Sequence, residues 1–588
     1  MANSPELAFF RIMQVGADSP GGADAPPGQA RYTAGLHGPE CLAGADAWLC
    51  VCPEKVAVSR EAASNMMDSQ IFAGLLGPDA GVAVDAQADF LPDLQLDHII
   101  GSACAEDDAQ LREPHPGASS LRACFLRPLR DPACIAYRQA VMRELEDAAL
   151  ATHFRSFADG MRRVRAWQTS ATLADVNPLQ AARWGLEAAL QYLATLRALD
   201  LALAGTQLQS AGLRGWRNWL AGHLAGPAFG ALEAAARALQ TELEAATFNV
   251  HLRGNEVTVS ACGDEVDYSA AVERTFARLR GAQPGEGASV AGPAPLNPVE
   301  EEILARVAAL HPQVFTRLAA FRSQHGGFVD ATVRQFDADL RFYFAWLDYL
   351  APLRAAGLPF CYPQLSVDDK SVELHDTFDL ALGAALVREG QAVVGNDVEL
   401  LGDERLLVIT GPNQAGKTGV ARAIGQAHHL AALGCAVPGR SARLYLCDRI
   451  FTHFEREENL ARQQSKLEDD LVRMHAILAA ATPRSLVILN EAFASTTLQD
   501  ATALARCVMA ELSRRDMLTV FVTFIDELAT FDAHTVSLVG VMGPAEQGGE
   551  AVRTYRFCRR HADGRAYALA IAEKYGLSYA RILERLPA

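Results

Sequence analysis

The sequence predicts a mixed fold: a C-terminal α/β domain with a phosphate-binding loop, preceded by a mainly α-helical region and a small mixed N-terminal domain. Three observations support this prediction. A strand-like run leads into a glycine-rich loop at residues 411–418, amphipathic periodicity fills much of residues 131–350, and residues 1–120 are rich in turn formers. With 588 residues, half of them hydrophobic, the chain is long enough for two to four cores.

Residues 1–120 predict a small domain whose role the sequence does not reveal. Turn formers are dense at Ser19–Gly28, and short apolar runs such as AWLCVC follow. The segment is also acidic, since residues 1–110 hold 16 acidic and 4 basic residues and carry most of the chain's net charge of −17. This charge excludes a globally basic coat for nucleic acid.

Residues 121–385 predict a helical core that extends into an arm. The runs Ile135–Phe154 and Pro178–Leu203 have apolar residues at helical spacing and few helix breakers. A second helical block covers residues 299–350, so helices lead both into and out of the intervening segment.

That intervening segment predicts a β tip followed by a flexible stretch. Residues 248–263 alternate as a β hairpin does, with Arg-Gly-Asn at the turn. Residues 280–298 are rich in Pro, Gly and Ala, which is typical of a flexible excursion.

A basic stretch lies at Arg122–Arg165, which contains nine arginines and five acidic residues. Two interpretations stay open at this point. The arginines could form a surface that meets phosphate, or they could be paired with acids on solvated helices.

Cysteine usage and hydropathy predict a cytoplasmic protein with no membrane span. The twelve cysteines show no framework spacing, and the CxC pair Cys50 and Cys52 lacks a second pair to complete a zinc site. The N-terminus lacks a basic start followed by an apolar run, and no stretch of about 18 apolar residues occurs.

Residues 386–588 predict a mostly parallel α/β sheet. The runs LLVIT, RLYLCD, SLVILNE, LTVFVTF and HTVSLVGV are strand-like and alternate with helical segments. The first run is followed by GPNQAGKT at Gly411–Thr418, which fits the phosphate-loop pattern GxxxxGK[ST] in its required context of strand before and helix after.

The loop pattern predicts a site for ATP and Mg²⁺. Gly411 and Gly416 let the backbone amides turn inward, and the helix that begins near Lys417 adds its positive end. Lys417 is expected to reach the β and γ phosphates, and the Thr418 hydroxyl is expected to bind Mg²⁺. The chain has 48 arginines and five lysines, which favours a specific role for the lysine at this position.

Several motifs, in order, resemble the MutS family. They are GPNQAGKT, HHLAALGCAVPG (428–439), DRIFTHF (448–454), SLVILNEAFASTT (485–497), TVFVTFIDELATF (519–531) and GRAYALAIAEKYGL (564–577). The resemblance covers residues 393–588, extends less firmly back to Arg122, and fails in residues 1–120. It implies a homodimeric ABC-type ATPase whose helical lever and clamp arm closes around DNA, with nucleotides held between two ATPase domains.

The resemblance also implies roles for individual residues. Glu491 matches the general base that activates water, Ser465 matches the signature serine that reaches the partner's γ phosphate in trans, and Asn396 and Val393 lie at the adenine site. The nucleotide-binding residues of the loop itself would be Gly411, Pro412, Asn413, Gln414, Ala415, Gly416, Lys417, Thr418 and Gly419.

Four departures from the family pattern surround this site. Asn490 replaces the aspartate that supports the metal, so it would contact Mg²⁺ only weakly and through a bound water. Phe524 replaces the switch histidine, Val393 replaces an aromatic residue, and the signature segment lacks the Ser-Gly that precedes Arg-Ser. Together the four changes predict altered kinetics, and Asn490 and Phe524 predict a reduced rate of hydrolysis.

Two functions remain open on the sequence alone. The first is an ATP-dependent clamp on double-stranded, branched or damaged DNA, without the family's mismatch wedge, because none of the 25 phenylalanines begins a Phe-x-Glu motif. The second is a slow or non-hydrolysing ATP switch that holds a protein partner. A third function, a P-loop ATPase outside this family such as the motor of a transporter, is disfavoured. The sequence lacks both an apolar span and an LSGGQ-like signature.

Overall fold

The computed structural model describes residues 72, 74–79, 81–85, 88–110, 121–253, 256–262, 294–412, 414–455, 466–545 and 551–562. The chain divides into two compact units. The larger comprises residues 65–243, 292–296 and 313–588, and the smaller comprises residues 1–64, 244–291 and 297–312.

The N-terminal half of the larger unit is helical. Its described helices are α1 (Phe90–Asp93), α2 (Leu96–Gln110), α3 (Leu121–Phe125), α4 (Pro132–Glu144), α5 (Ala148–Ser170), α6 (Pro178–Leu203), α7 (Ala211–Ala225) and α8 (Pro227–Ala245). Side chains of Asp131, Asp147, Asn177 and Ser210 accept backbone N–H groups at the starts of α4 to α7. Each such cap contributes about 1 kcal/mol.

The described part of the smaller unit is a β hairpin and one helix. Strands β1 (Phe248–Arg253) and β2 (Glu256–Ala261) pair antiparallel, which confirms the predicted hairpin. Helix α9 (Pro298–Leu310) begins at a capping box, in which Asn297 and Glu300 satisfy each other's backbone N–H groups. Of the predicted flexible stretch 280–298, residues 280–293 lie outside the described residues, and its last residue, Pro298, begins α9.

Two more helices of the larger unit follow, α10 (Pro312–His325) and α11 (Ala331–Ala355). Helix α11 supplies Phe336, whose ring stacks on Trp216 of α7 with centroids 3.6 Å apart. Phe154 and Phe157 of α5 also contact Phe336, so one aromatic cluster joins three helices. No helix in the described part of the chain is long and apolar enough to span a membrane.

The C-terminal half of the larger unit is α/β. Its elements are β3 (Phe360–Cys361), β4 (Gln364–Ser366), β5 (Val372–Thr377), α12 (Leu380–Arg388), β6 (Asn396–Leu400), β7 (Leu406–Thr410), α13 (Lys417–Ala432), β8 (Val437–Pro438), β9 (Ser441–Tyr445), β10 (Ile450–His453), α14 (Lys466–Ala480), β11 (Leu486–Asn490), α15 (Leu498–Arg514), β12 (Leu518–Val522), a 3₁₀ helix (Asp526–Thr530), β13 (Thr535–Ala545) and β14 (Ala551–Arg559).

The main sheet has the strand order β10-β11-β12-β7-β13-β14. The pairings from β10 to β13 are parallel and β14 is antiparallel to β13, which confirms the predicted mostly parallel sheet. All residues of β7, β11 and β12 are buried, as expected where helices cover both faces. Strand β9, which contains the first half of the predicted RLYLCD strand, pairs instead in a second sheet of order β4-β9-β5-β6.

Candidate nucleotide site

The predicted phosphate loop connects the buried strand β7 to helix α13. Three of its residues have left-handed backbone angles: Gly411 (φ +138°), Gln414 (φ +63°) and Gly416 (φ +94°). A Cβ on Gly411 would lie 3.1 Å from the backbone nitrogen of Gly540, so the loop also packs closely on β13. Glycine is therefore required at both predicted positions for its backbone conformation.

Lys417 is the first residue of α13, and its ammonium group points back into the loop. The residue is 4% exposed, and Nζ donates a hydrogen bond to the Gly411 carbonyl at 2.9 Å. The Glu491 carboxylate lies 3.7 Å from Nζ. Burial lowers the pKa of Lys417, and the charges of Glu491 and Asp526 offset part of that decrease.

Glu491 follows the buried strand β11 directly. It has φ +52°, a conformation that residues with a side chain rarely adopt, and its N–H donates to the Val522 carbonyl at 2.9 Å. Phe493, two residues later, has φ +65° and is fully buried. The buried phenylalanine and the bond to β12 hold the turn that directs Glu491 towards Lys417.

Thr418 and Asn490 form the second polar contact of the site. The Thr418 hydroxyl donates to the Asn490 side-chain oxygen at 3.0 Å. A hydroxyl and an amide oxygen are ligands of the hard type that Mg²⁺ accepts, so these residues fit the predicted metal. Within the described ranges, no group of three His, Cys, Asp or Glu residues could hold a metal ion.

The side-chain amide of Asn396, at the start of β6, is hydrogen-bonded to the backbone of strand β14. Its Nδ2 donates to the Tyr555 carbonyl at 3.1 Å, and its Oδ1 accepts the Phe557 N–H at 2.8 Å. Val393 is half-buried and offers an aliphatic surface. The predicted contact of both residues with adenine therefore remains a prediction.

The structure brings together most but not all of the predicted site residues. Pro412, Ala415 and Gly419 lie in or directly after the loop, and the Pro412 carbonyl accepts the Ala415 N–H at 3.2 Å. Asn413 and Ser465 lie outside the described residues. Phe524 is 46% exposed in the loop that follows β12.

The sequence motifs did not single out two residues near the site. Asp526 acts electrostatically on Lys417, and Tyr555 lies against Gly416 of the phosphate loop. Asp526 lies within the TVFVTFIDELATF motif, so its nearness to the site could have been suspected from the sequence. Tyr555 carries no such signal, because its strand contacts the loop only through the folded sheet.

Residues 407–585 match the family model of MutS domain V. Curated relatives similar to this chain are named DNA mismatch repair protein MutS. That of Oleidesulfovibrio alaskensis is 38% identical over 223 residues, which cover 35% of this chain and 24% of the relative. That of Chlorobaculum tepidum is 29% identical over 294 residues, which cover 48% and 32%, respectively.

The chain is thus similar to MutS proteins, and the family-model match lies in its C-terminal part, at residues 407–585. The match to MutS domain V, which is the ATPase domain of the family, contains every predicted site residue except Val393 and Asn396. In these two alignments, the chain spans about a quarter to a third of the length of the MutS relatives.

The basic stretch at Arg122–Arg165 lies outside the residues that match MutS domain V. The structure shows what four of its arginines contact. Arg155, Arg162 and Arg165 form ion pairs with Asp348, Asp159 and Asp337, respectively. The buried Arg138 donates to the carbonyls of Leu76, Leu433 and Asp79. For these four arginines the contacts favour the structural interpretation over a phosphate-binding surface.

Proposed function

We propose that the chain is an ATP-dependent DNA-binding protein of the MutS superfamily: a dimeric ATPase that closes on double-stranded, branched or damaged DNA in repair or recombination. In this proposal the protein does not recognise mismatches through the family's Phe-x-Glu motif. The observation that supports it is the buried Lys417 ammonium, held in a glycine loop 3.7 Å from the Glu491 carboxylate within a MutS domain V.

The loop residues would bind the triphosphate through charge and backbone amides. Lys417 would exchange its bond to the Gly411 carbonyl for the β and γ phosphates, since an ionised acceptor bonds an ammonium more strongly than a carbonyl does. Freed from its pair with Lys417, Glu491 would orient and deprotonate the attacking water.

Slow turnover is part of the proposal. Mg²⁺, when bound, neutralises charge on the phosphates. Thr418 and Asn490 would hold it without the negative charge that an aspartate supplies, because the side chain of Asn490 is a neutral amide. The side chain of Phe524 has no group that could hydrogen-bond a γ phosphate.

Dimerisation through the ATPase domains would complete the site. In the proposal, Ser465 of one chain reaches the γ phosphate bound to its partner. The DNA would lie between the helical arms. Arg155, Arg162 and Arg165 of α5 do not by themselves support DNA binding, because they are ion-paired with acidic residues.

A steady-state ATPase assay tests the catalytic part of the proposal, with and without branched, mismatched and linear duplex DNA. Lys417→Ala is expected to abolish nucleotide binding, whereas Glu491→Ala is expected to retain ATP and lose turnover. Glu302→Ala is a matched control, because Glu302 is an exposed carboxylate in the smaller unit. Unchanged ATP affinity in Lys417→Ala contradicts the site.

The alternative is a slow or non-hydrolysing ATP switch that holds a protein partner. Asn490 and Phe524 favour it, as does the net charge of −17. Salt dependence separates the two functions, because displaced counterions make DNA affinity fall steeply with salt. Absence of DNA binding at low salt would favour the switch.

A further inference from the structure

A cavity of about 240 Å³ lies between helices α5 and α6 and shares no residue with the nucleotide site. The two helices run antiparallel, because Gly160 of α5 meets Thr195 of α6 and, further along α5, Trp167 meets Trp184 of α6. Both helices line the cavity, and the lining residue Ala198 is exposed. The cavity is therefore an open cleft that a ligand can enter from solvent.

One end of this cleft carries a cationic side chain without an acidic partner. Arg163 and Gln191 each lie one helical turn from the contact of Gly160 with Thr195, so they line the same end. Within the described part of the chain Arg163 forms no ion pair, and none of the described acidic residues lines the cleft. A guanidinium and an amide N–H both bond a negatively charged group, so this end favours an anion.

The middle of the cleft is apolar, and its other end is polar. Phe157 and Ala198 are among the apolar lining residues, and His153 and Ser156 supply polar atoms beyond them. His153 lies ten residues before Arg163 on α5, which corresponds to about 15 Å along the helix. This order of groups fits an organic anion that carries an apolar body. The volume lies below the roughly 300 Å³ at which pockets for drug-sized ligands begin, so the ligand must be small.

We propose that the cleft between α5 and α6 binds a small organic anion. Arg163 and Gln191 hold its carboxylate or phosphate group, and its apolar body lies over Phe157 and Ala198. This site goes beyond the function proposed above, because its ligand is neither the nucleotide nor the DNA. A ligand that contacts both helices binds only the folded chain and therefore stabilises the pairing of α5 with α6.

Calorimetric titration of the full chain with phenyl phosphate tests the proposal. The Lys417→Ala background prevents binding of the probe at the phosphate loop. In this background Arg163→Ala is expected to weaken phenyl phosphate binding about tenfold, because it removes a charge-assisted hydrogen bond. Arg162→Ala is the matched control and is expected to leave the affinity unchanged. Arg162 is the neighbouring arginine of the same helix, but it is ion-paired with Asp159 and does not line the cleft.

A second variant tests the cleft without a change of charge. Ala198→Leu places a larger side chain in the cleft and is expected to block phenyl phosphate binding. Inorganic phosphate lacks the apolar body and phenol lacks the charge, so each is expected to bind about tenfold more weakly than phenyl phosphate. Benzoate distinguishes the two kinds of anion: tighter binding of benzoate assigns the site to carboxylates, and tighter binding of phenyl phosphate assigns it to phosphates.

Three results would overturn the proposal. The first is that the Lys417→Ala chain does not bind phenyl phosphate or benzoate. The second is an equal affinity for phenyl phosphate with and without Arg163→Ala. The third is an equal loss in Arg162→Ala and Arg163→Ala, because a general effect of positive charge would then explain the binding. None of these measurements depends on ATP hydrolysis, so their failure would leave the proposed function in place.

Discussion

Asn490 places a neutral amide oxygen 3.0 Å from the Thr418 hydroxyl, at the end of a buried strand. Replacing it with aspartate would add a negative charge of nearly the same shape beside the proposed Mg²⁺ position. We expect Asn490→Asp to raise the ATPase rate on the order of tenfold and to lower the Mg²⁺ concentration needed for half-maximal activity. Magnesium titration of the steady-state rate measures both effects.

The matched control is Asn490→Ala, which removes the oxygen and should slow the reaction further. If Asn490→Asp showed the same magnesium dependence as the unchanged chain, the amide would not be what limits metal binding.

The phosphate-loop residues could be predicted from sequence because their conformation is local. Gly411, Gly416 and Lys417 lie within seven residues, and a strand and a helix fix both ends. Tyr555 could not be predicted in this way, since it lies more than a hundred residues away in sequence and reaches Gly416 through the β7-β13-β14 pairing. The bonds of Asn396 to β14 are non-local in the same sense.

Helix α13 carries two adjacent buried histidines, which serve packing in this structure. A ring nitrogen of His428 bonds the Ile424 carbonyl at 2.8 Å, and one of His429 bonds the Phe125 carbonyl at 2.9 Å. Burial lowers the pKa of each histidine to about 4. The unfolded chain therefore takes up these protons first as the pH falls.

Stability is thus expected to decrease as the pH falls from about 6.5 to about 4, by on the order of 3 kcal/mol per histidine. His429→Gln should lose part of this pH dependence, as measured by urea unfolding at pH 7 and pH 4.5. His98→Gln changes an exposed histidine and is the control. An identical pH dependence in His429→Gln and the unchanged chain would rule out this role.

Helices α5 and α6 approach closely at Gly160. A Cβ there would lie 2.3 Å from the Thr195 hydroxyl and 2.6 Å from its methyl group. We expect Gly160→Ala to destabilise the chain by about 1–3 kcal/mol through overpacking, despite the better helix propensity of alanine. The double change Gly160→Ala with Thr195→Ala should recover part of the loss, which unfolding of all four combinations would measure. An additive double change would show that the two residues do not clash.

Element types were easier to predict than element boundaries and partners. The run Ile135–Phe154 has one helical periodicity, yet it divides between α4 and α5 because Asp147 caps a new helix with its bond to the Leu150 N–H. Strand β9 was expected in the main sheet and lies in the smaller one. Apolar alternation indicates that a strand forms but not which strand it pairs with.

Within the larger unit, the helical half contacts the phosphate-loop helix directly. Arg422 and Gln426 of α13 donate to the carbonyls of Asp93 and Leu94, each at 2.9 Å. Gln426 also accepts the Leu380 N–H and donates to Asp379, so one buried side chain joins three segments. The predicted boundary at residues 385 and 386 stays a prediction, because composition does not reveal surfaces that two segments share.

The proposal that two chains complete each nucleotide site makes a prediction for the whole molecule. If hydrolysis is blocked while ATP stays bound, the chain of 63.2 kDa should associate into a species of about twice that mass. We expect Glu491→Ala to form this dimer on addition of ATP and Mg²⁺, because the triphosphate would bridge the two ATPase domains. Lys417→Ala should remain a monomer, since it lacks bound nucleotide. Light scattering after size exclusion measures the mass directly, and Glu491→Ala that binds ATP yet stays monomeric would contradict a shared site.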